Sequence, residues 1–145
     1  MIEQAWDIDR IRAHIAADLP VAAVFGIDIV AAQAASARVR LVGTAPIRRP
    51  GGSIAGPVLF AMADIATYAL TLALRQEDVA VTSSLAMNFL RPGFALPLIG
   101  EAVPLRAGRN LLTYDVRIWS EAEGPDRPIA QATATWTNAS VAPRP

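Results

Sequence analysis

Apolar and polar positions change rhythm three times along this chain, and each change predicts an element. Ile8, Ile11, Ile15 and Leu19 recur at spacings of three and four, the stripe of an amphipathic helix over Asp7 to Leu19. Arg10, His14 and Asp18, four apart, fall on its other face, which predicts that His14 is solvated. Two runs with a period of two follow, Gly26 to Ala31 and Ala37 to Val42, and read as strands. Gly43 to Ser53, with Pro46, Pro50, Gly51 and Gly52, reads as a loop. Alternation returns in Val79 to Leu90, Leu98 to Leu105, Leu111 to Trp119 and Ile129 to Thr137. The turns between them, Arg91-Pro92-Gly93, Ala107 to Asn110 and Glu123 to Asp126, are short enough to predict antiparallel neighbours. The tail, with Pro143 and Pro145, is expected to fray.

The segment between the two strand groups obeys neither rhythm. From Ile54 to Leu74 it is apolar or small nearly all round, and Asp64 is its single charged side chain. Pro57 suits a first helical turn with Gly56 as the cap before it, so a helix is predicted from there to Leu74. A helix this apolar needs a greasy surround, lipid or protein. Lipid is disfavoured: Asp64 would sit at mid-depth, at a cost of about 2.5–3.5 kcal/mol. Five alanines with Thr67 and Thr71 further weaken insertion. The strands can supply the surround instead, helped by the small-residue row Ala130, Ala132 and Ala134 that ends in Trp136. The prediction is one α+β domain over 1–145, an antiparallel sheet of six strands curled around a central helix, with a short helix before it.

Composition narrows the chemistry. With 145 residues, 13 basic against 13 acidic, the chain is long enough for one core and lacks the basic excess of a nucleic-acid binder. It has no cysteine, no lysine and one histidine. Thiolate nucleophiles, Schiff bases and multi-histidine metal sites are thereby excluded, and no metal is expected. The start, Met-Ile-Glu-Gln-Ala-Trp-Asp, lacks the pattern of a signal peptide, so a cytoplasmic protein is expected.

A carboxylate in the middle of an apolar helix calls for a partner or a task, because burial raises its pKa and makes it a base or a nucleophile. At the other end of the same helix, the loop Arg48-Arg49-Pro50-Gly51-Gly52-Ser53 leads into Gly56, where free N–H groups and the helix dipole suit an oxyanion. Eight residues separate Gly56 from Asp64, about 12 Å along the axis, too far to serve one reacting carbon. Two copies with antiparallel helices remove the difficulty and create two composite sites. The uncharged strand Val79 to Leu90 is either a central strand or an unprotected edge at which two copies would join.

The run Gly51-Gly52-Ser53-Ile54-Ala55-Gly56-Pro57-Val58-Leu59-Phe60-Ala61-Met62-Ala63-Asp64, followed by Val81-Thr82-Ser83-Ser84-Leu85 and Asn88-Phe89-Leu90-Arg91-Pro92, resembles the hot-dog-fold acyl-CoA thioesterases of the PaaI-like group. The likeness covers about 25–137. It implies hydrolysis of an acyl-CoA by a homodimer or dimer of dimers, with coenzyme A only as part of the substrate and no other cofactor. Gly56 would polarise the thioester carbonyl through its N–H, and Asp64 of the other subunit would attack or activate water. Ser53 and Pro57, at the loop and helix start, are substrate candidates. Thr67 and Tyr68, one turn beyond Asp64, could orient the water, although packing against the sheet is the expected role of both. Ser83, Ser84 and Asn88 either line the thioester channel or are polar positions on the sheet's open face. Arg48, Arg49 and Arg91 are candidates for the nucleotide phosphates. The family commonly has His-Gly-Gly where this chain has Ala55-Gly56-Pro57, and Asn or Gln where it has Arg49. Loss of that histidine favours an alternative, a hot-dog protein that binds an acyl-CoA or related lipid without hydrolysing it. A hydratase or dehydratase would want an imidazole beside the carboxylate, and His14 is far away in sequence.

Overall fold

The computed structural model describes residues 5–43 and 46–139; Thr44 and Ala45 of the expected loop, the first four residues and the tail with Pro143 and Pro145 lie outside them. The first helix, α1 (Ile8–Asp18), is capped by Asp7, whose side chain accepts from the Arg10 N–H. Ile11 and Ile15 are fully buried, each worth about 1.5–3 kcal/mol in water-excluded surface. Ile8 and Leu19 at the stripe's two ends are half-buried. A one-turn helix that the periodicity does not announce, α2 (Val21–Phe25), ends at Gly26, whose φ of 74° is open to glycine at little cost.

Six strands follow: β1 (Ile27–Gln33), β2 (Ser36–Leu41), β3 (Ala80–Phe89), β4 (Leu98–Ala107), β5 (Leu111–Ser120) and β6 (Ala130–Asn138), with α3 (Gly56–Arg75) between β2 and β3. The sheet runs β1-β2-β4-β5-β6-β3, antiparallel throughout. Short turns do place β5 beside β4 and β6 beside β5. The link at Arg91-Pro92-Gly93 behaves differently from the expectation. β4 is already flanked by β2 and β5, so β3 pairs with β6 and becomes an edge. Of the two readings of the uncharged strand, the edge is the one found.

The sheet curls around α3, which packs against all six strands. Thirteen of its twenty residues are buried, so α3 is the core helix of this domain, and the protein surround replaces lipid. Close approach is bought with small side chains: Ala130, Ala132 and Ala134 are buried beneath Trp136, and a Cβ on Gly100 of β4 would lie 3.1 Å from Val39 and 3.5 Å from Met62. The helix begins one residue earlier than expected. Ala55 is the cap and Gly56 the first helical residue, with the helix running on to Arg75.

Apart from Leu74 and Arg75 at its carboxyl end, the residues of α3 left uncovered form a single stripe that starts at the half-exposed Gly56. Pro57 and Phe60 are exposed, Ala61 and Asp64 half-exposed, at the three- and four-residue spacing of one helical face. This stripe lies on the amino-terminal half of α3, where the two predicted chemical groups also lie.

Candidate active site

The loop before α3 is built to turn back on itself. Gly51 and Gly52 take φ values of 99° and 91°, while Arg49 and Ser53 close the turn by a backbone hydrogen bond. Ile54 and Ala55 donate their N–H groups to Gly93 and Ile47, and Val58 and Leu59 donate theirs to Ala55. Pro57 has no N–H. That leaves the Gly56 N–H without an acceptor among the described residues, at the positive end of a twenty-residue helix. It opens on a cavity of about 750 Å³ between this loop and the segment Phe89–Gly93. Leu59, Phe89, Leu90 and Pro92 give the cavity apolar walls, and Arg49, Ser53 and Arg91 add polar groups. The Phe89 ring stands so close that a Cβ at position 56 would meet it at 3.3 Å.

Asp64 lies two turns on and does not line this cavity. Its carboxylate is half-buried and accepts a hydrogen bond from the Thr82 hydroxyl of β3, at 2.8 Å. Burial pushes its pKa up; the Thr82 hydrogen bond opposes that shift by stabilising the charged form. Thr82 is the site residue that sequence reasoning missed. Its place in the run Val81-Thr82-Ser83-Ser84 was visible, but nothing local distinguishes the hydroxyl that reaches α3 from the two that follow.

The structure divides the other predicted site residues. Arg49, Ser53, Pro57 and Arg91 come together with Gly56 around the cavity. Arg48 is instead spent on the fold, donating to the carbonyls of Gly52 and Phe94 at 2.7 and 2.9 Å. Ser83, Ser84 and Asn88 are exposed along β3, away from the cavity walls; Ser83 donates to the Thr135 carbonyl and Asn88 to Gln131. Thr67 is fully buried, donating to the Asp64 carbonyl and accepting from the Trp136 indole N–H at 2.9 Å. This fixes the helix backbone beneath Asp64 and leaves no hydroxyl for a substrate. Tyr68 stacks on Trp136 with ring centroids 5.5 Å apart and turns its hydroxyl toward Asp78 and Asp18.

His14 is half-buried, less solvated than its helix face predicts. Its Nε2 lies 2.7 Å from Asp78 and 3.2 Å from the Tyr68 hydroxyl, because the turn after α3 folds over that side of α1. The helical spacing placed His14 correctly on α1, and a partner 64 residues away supplied the cover.

A single helix held in a curled antiparallel sheet, with a free amino-terminal N–H and a carboxylate on its open stripe, defines a hot-dog domain of the PaaI-like kind. The sequence profile of the thioesterase superfamily matches residues 51–125, and the chain belongs to that family. Among solved structures, a provisionally assigned thioesterase of Silicibacter sp. TM1040 is 31% identical over 95% of both chains, with a TM-score of 0.81. The Escherichia coli PaaI protein of the phenylacetic acid degradation operon is 26% identical, over 89% of this chain and 91% of that one, with a TM-score of 0.76. A Haemophilus influenzae thioesterase shares the fold at 20% identity, over 97% of each chain, with a TM-score of 0.79. No curated protein matches the chain.

Proposed function

We propose that this protein hydrolyses acyl-CoA thioesters as a homodimer, itself able to pair into a dimer of dimers, with each active site shared between two copies. The observation that carries the reading is the free Gly56 N–H and the half-buried Asp64 on one uncovered stripe, eight residues apart. Antiparallel pairing of two such stripes sets the Gly56 N–H of one copy opposite the Asp64 of the other. The uncharged edge β3 favours the same assembly, since two copies can continue one sheet across it.

In such a site the thioester carbonyl oxygen accepts from Gly56, and Asp64 takes a proton from water as the water oxygen bonds to the carbonyl carbon. The tetrahedral oxyanion is held by the helix terminus, its collapse breaks the C–S bond, and the thiolate takes up the proton. Direct attack by the Asp64 carboxylate, with water cleaving the resulting anhydride, gives the same products. The apolar cavity walls receive the substrate, and Arg49 and Arg91 face the coenzyme A phosphates.

Thiol release from short, medium, aromatic and long acyl-CoA esters tests the proposal, with sizing at micromolar concentration alongside. Turnover of at least one class by a dimer is expected. Ala55, in place of the family's histidine, favours one rival, binding without hydrolysis: retained acyl-CoA binding with no thiol released from any ester would establish it and dismiss ours.

A further inference from the structure

Far from Gly56, at the carboxyl end of α3, four donor atoms from three elements converge: His14 Nε2 and Asp18 Oδ2 of α1, the Tyr68 hydroxyl of α3 and Asp78 Oδ2 of the turn before β3. We propose that they form a binding site for a divalent first-row cation, zinc fitting best, which fastens α1 to the core helix. The sequence excluded sites built on several histidines or on cysteine, but a one-histidine, carboxylate-rich set remains open to such an ion.

Geometry is the first argument. A tetrahedral zinc ion with bonds of about 2.0–2.1 Å needs donors about 3.3 Å apart. Here Asp78 lies 2.7 Å from Nε2 and 2.8 Å from the tyrosine oxygen. Asp18 lies 3.1 Å from that oxygen and 3.7 Å from Nε2, and Nε2 is 3.2 Å from the oxygen. The two carboxylate oxygens are within 4.8 Å of one another. Shifts of a few tenths of an ångström at the exposed Asp18 and the turn residue Asp78 convert these spacings into a coordination shell.

Charge is the second. Two carboxylates meet one imidazole, so the cluster is negative whichever form the imidazole takes. His14 Nε2 faces Asp78 and the phenol hydroxyl reaches both carboxylates, so at most one proton from each ring holds the two acidic groups together. A divalent ion bridges both and offsets their charge. Arg10, the cation one turn back on α1, lies over the Trp6 ring, 4.2 Å from its centroid.

Rigidity is the third. His14 is braced edge-on by Trp6, with ring centroids 4.9 Å apart, and Tyr68, only 8% exposed, is held flat against Trp136. The imidazole in the set favours zinc and its neighbours over calcium or magnesium, which take oxygen ligands.

The composition makes the test clean, because His14 is the only imidazole and the chain has no thiol. Tag-free, chelator-treated protein is titrated with zinc in a calorimeter and with cobalt(II) in a spectrophotometer. One saturable equivalent of zinc, the visible bands of tetrahedral cobalt and a higher melting midpoint in zinc are expected. His14→Gln and Asp78→Asn should each weaken binding at least about tenfold, while Asp28→Asn, an exposed carboxylate elsewhere on the α1 side, should leave it unchanged. Absence of saturable binding up to about 1 mM zinc, or binding that the His14 and Asp78 variants retain, overturns the proposal. The wild-type titration decides even if a variant fails to fold.

Discussion

The two edges of the sheet are treated in opposite ways. β1 is seven residues long, bends at a bulge between Ile29 and Ala31, and is flanked by α1, whose Arg12 pairs with Asp28 at 3.1 Å. β3 is ten residues long, carries no charge, and leaves seven of its residues exposed, Val81 and Phe89 among them. Bulges, charges and covering helices are how a chain keeps an edge from acquiring a stranger. β1 has all three. β3 has a bulge at Thr82 to Ser84 and neither of the others, and it is the strand whose Thr82 holds Asp64. The unguarded edge and the candidate carboxylate therefore belong to one surface, which is what a site completed by a second copy requires.

Removing the carboxylate gives the largest effect. Asp64→Asn should lower kcat by about a thousandfold or more in the thiol-release assay. The same variant should melt higher at neutral pH. Burial raises the pKa of Asp64, so the folded state holds its proton more tightly than the unfolded chain, and stability falls as pH rises past the unfolded carboxylate range. The gain should vanish in acid, where wild-type Asp64 is protonated in both states. An Asn variant no more stable than wild type at neutral pH would show that the carboxylate carries no burial cost.

Charging the open edge comes next. Ala86 is exposed at the middle of β3, and Ala86→Arg places a cation where two copies would pair. Sizing should show a folded monomer, and hydrolysis should drop by about a hundredfold as each Asp64 loses the opposite helix terminus. A monomer with full activity would separate the edge from the chemistry. A smaller change follows from Thr82→Val, which keeps the shape and removes the hydroxyl. Losing a hydrogen bond of about 1–1.5 kcal/mol should cost up to about tenfold in rate. Because that bond stabilises ionised Asp64, the acid limb of the pH–rate profile should move to higher pH.

This contrast between edges also marks how far the sequence could be read. Periods of two and of three to four located the six strands and α1, because burial on one face is a local pattern, and α3 stood out as an apolar run that keeps neither period. Asp64 and Gly56 stood out because a lone charge in an apolar helix and a glycine at its start each break a local rule. Which strand becomes an edge is decided by pairing across the sheet, and the short link after Leu90 misled on that point. Thr82 reaches Asp64 over 18 positions and Asp78 reaches His14 over 64, distances at which periodicity carries no information. Arg48 shows the same limit from another side: its two carbonyl partners, Gly52 and Phe94, exist only once the loop and the β3–β4 link have met.

The smallest effect belongs to the guarded edge. Arg12 and Asp28 are each about half exposed, 48% and 50%, and an ion pair so placed contributes about 0–1 kcal/mol. Asp28→Asn should therefore shift the melting midpoint by no more than a few degrees, lose what effect it has in high salt, and leave activity and the sizing profile unchanged. The bulge and α1 remain in that variant, so β1 should still refuse a second copy. If Asp28→Asn instead produces larger assemblies, charge alone was guarding β1, and the absence of charge on β3 becomes the whole difference between the two edges.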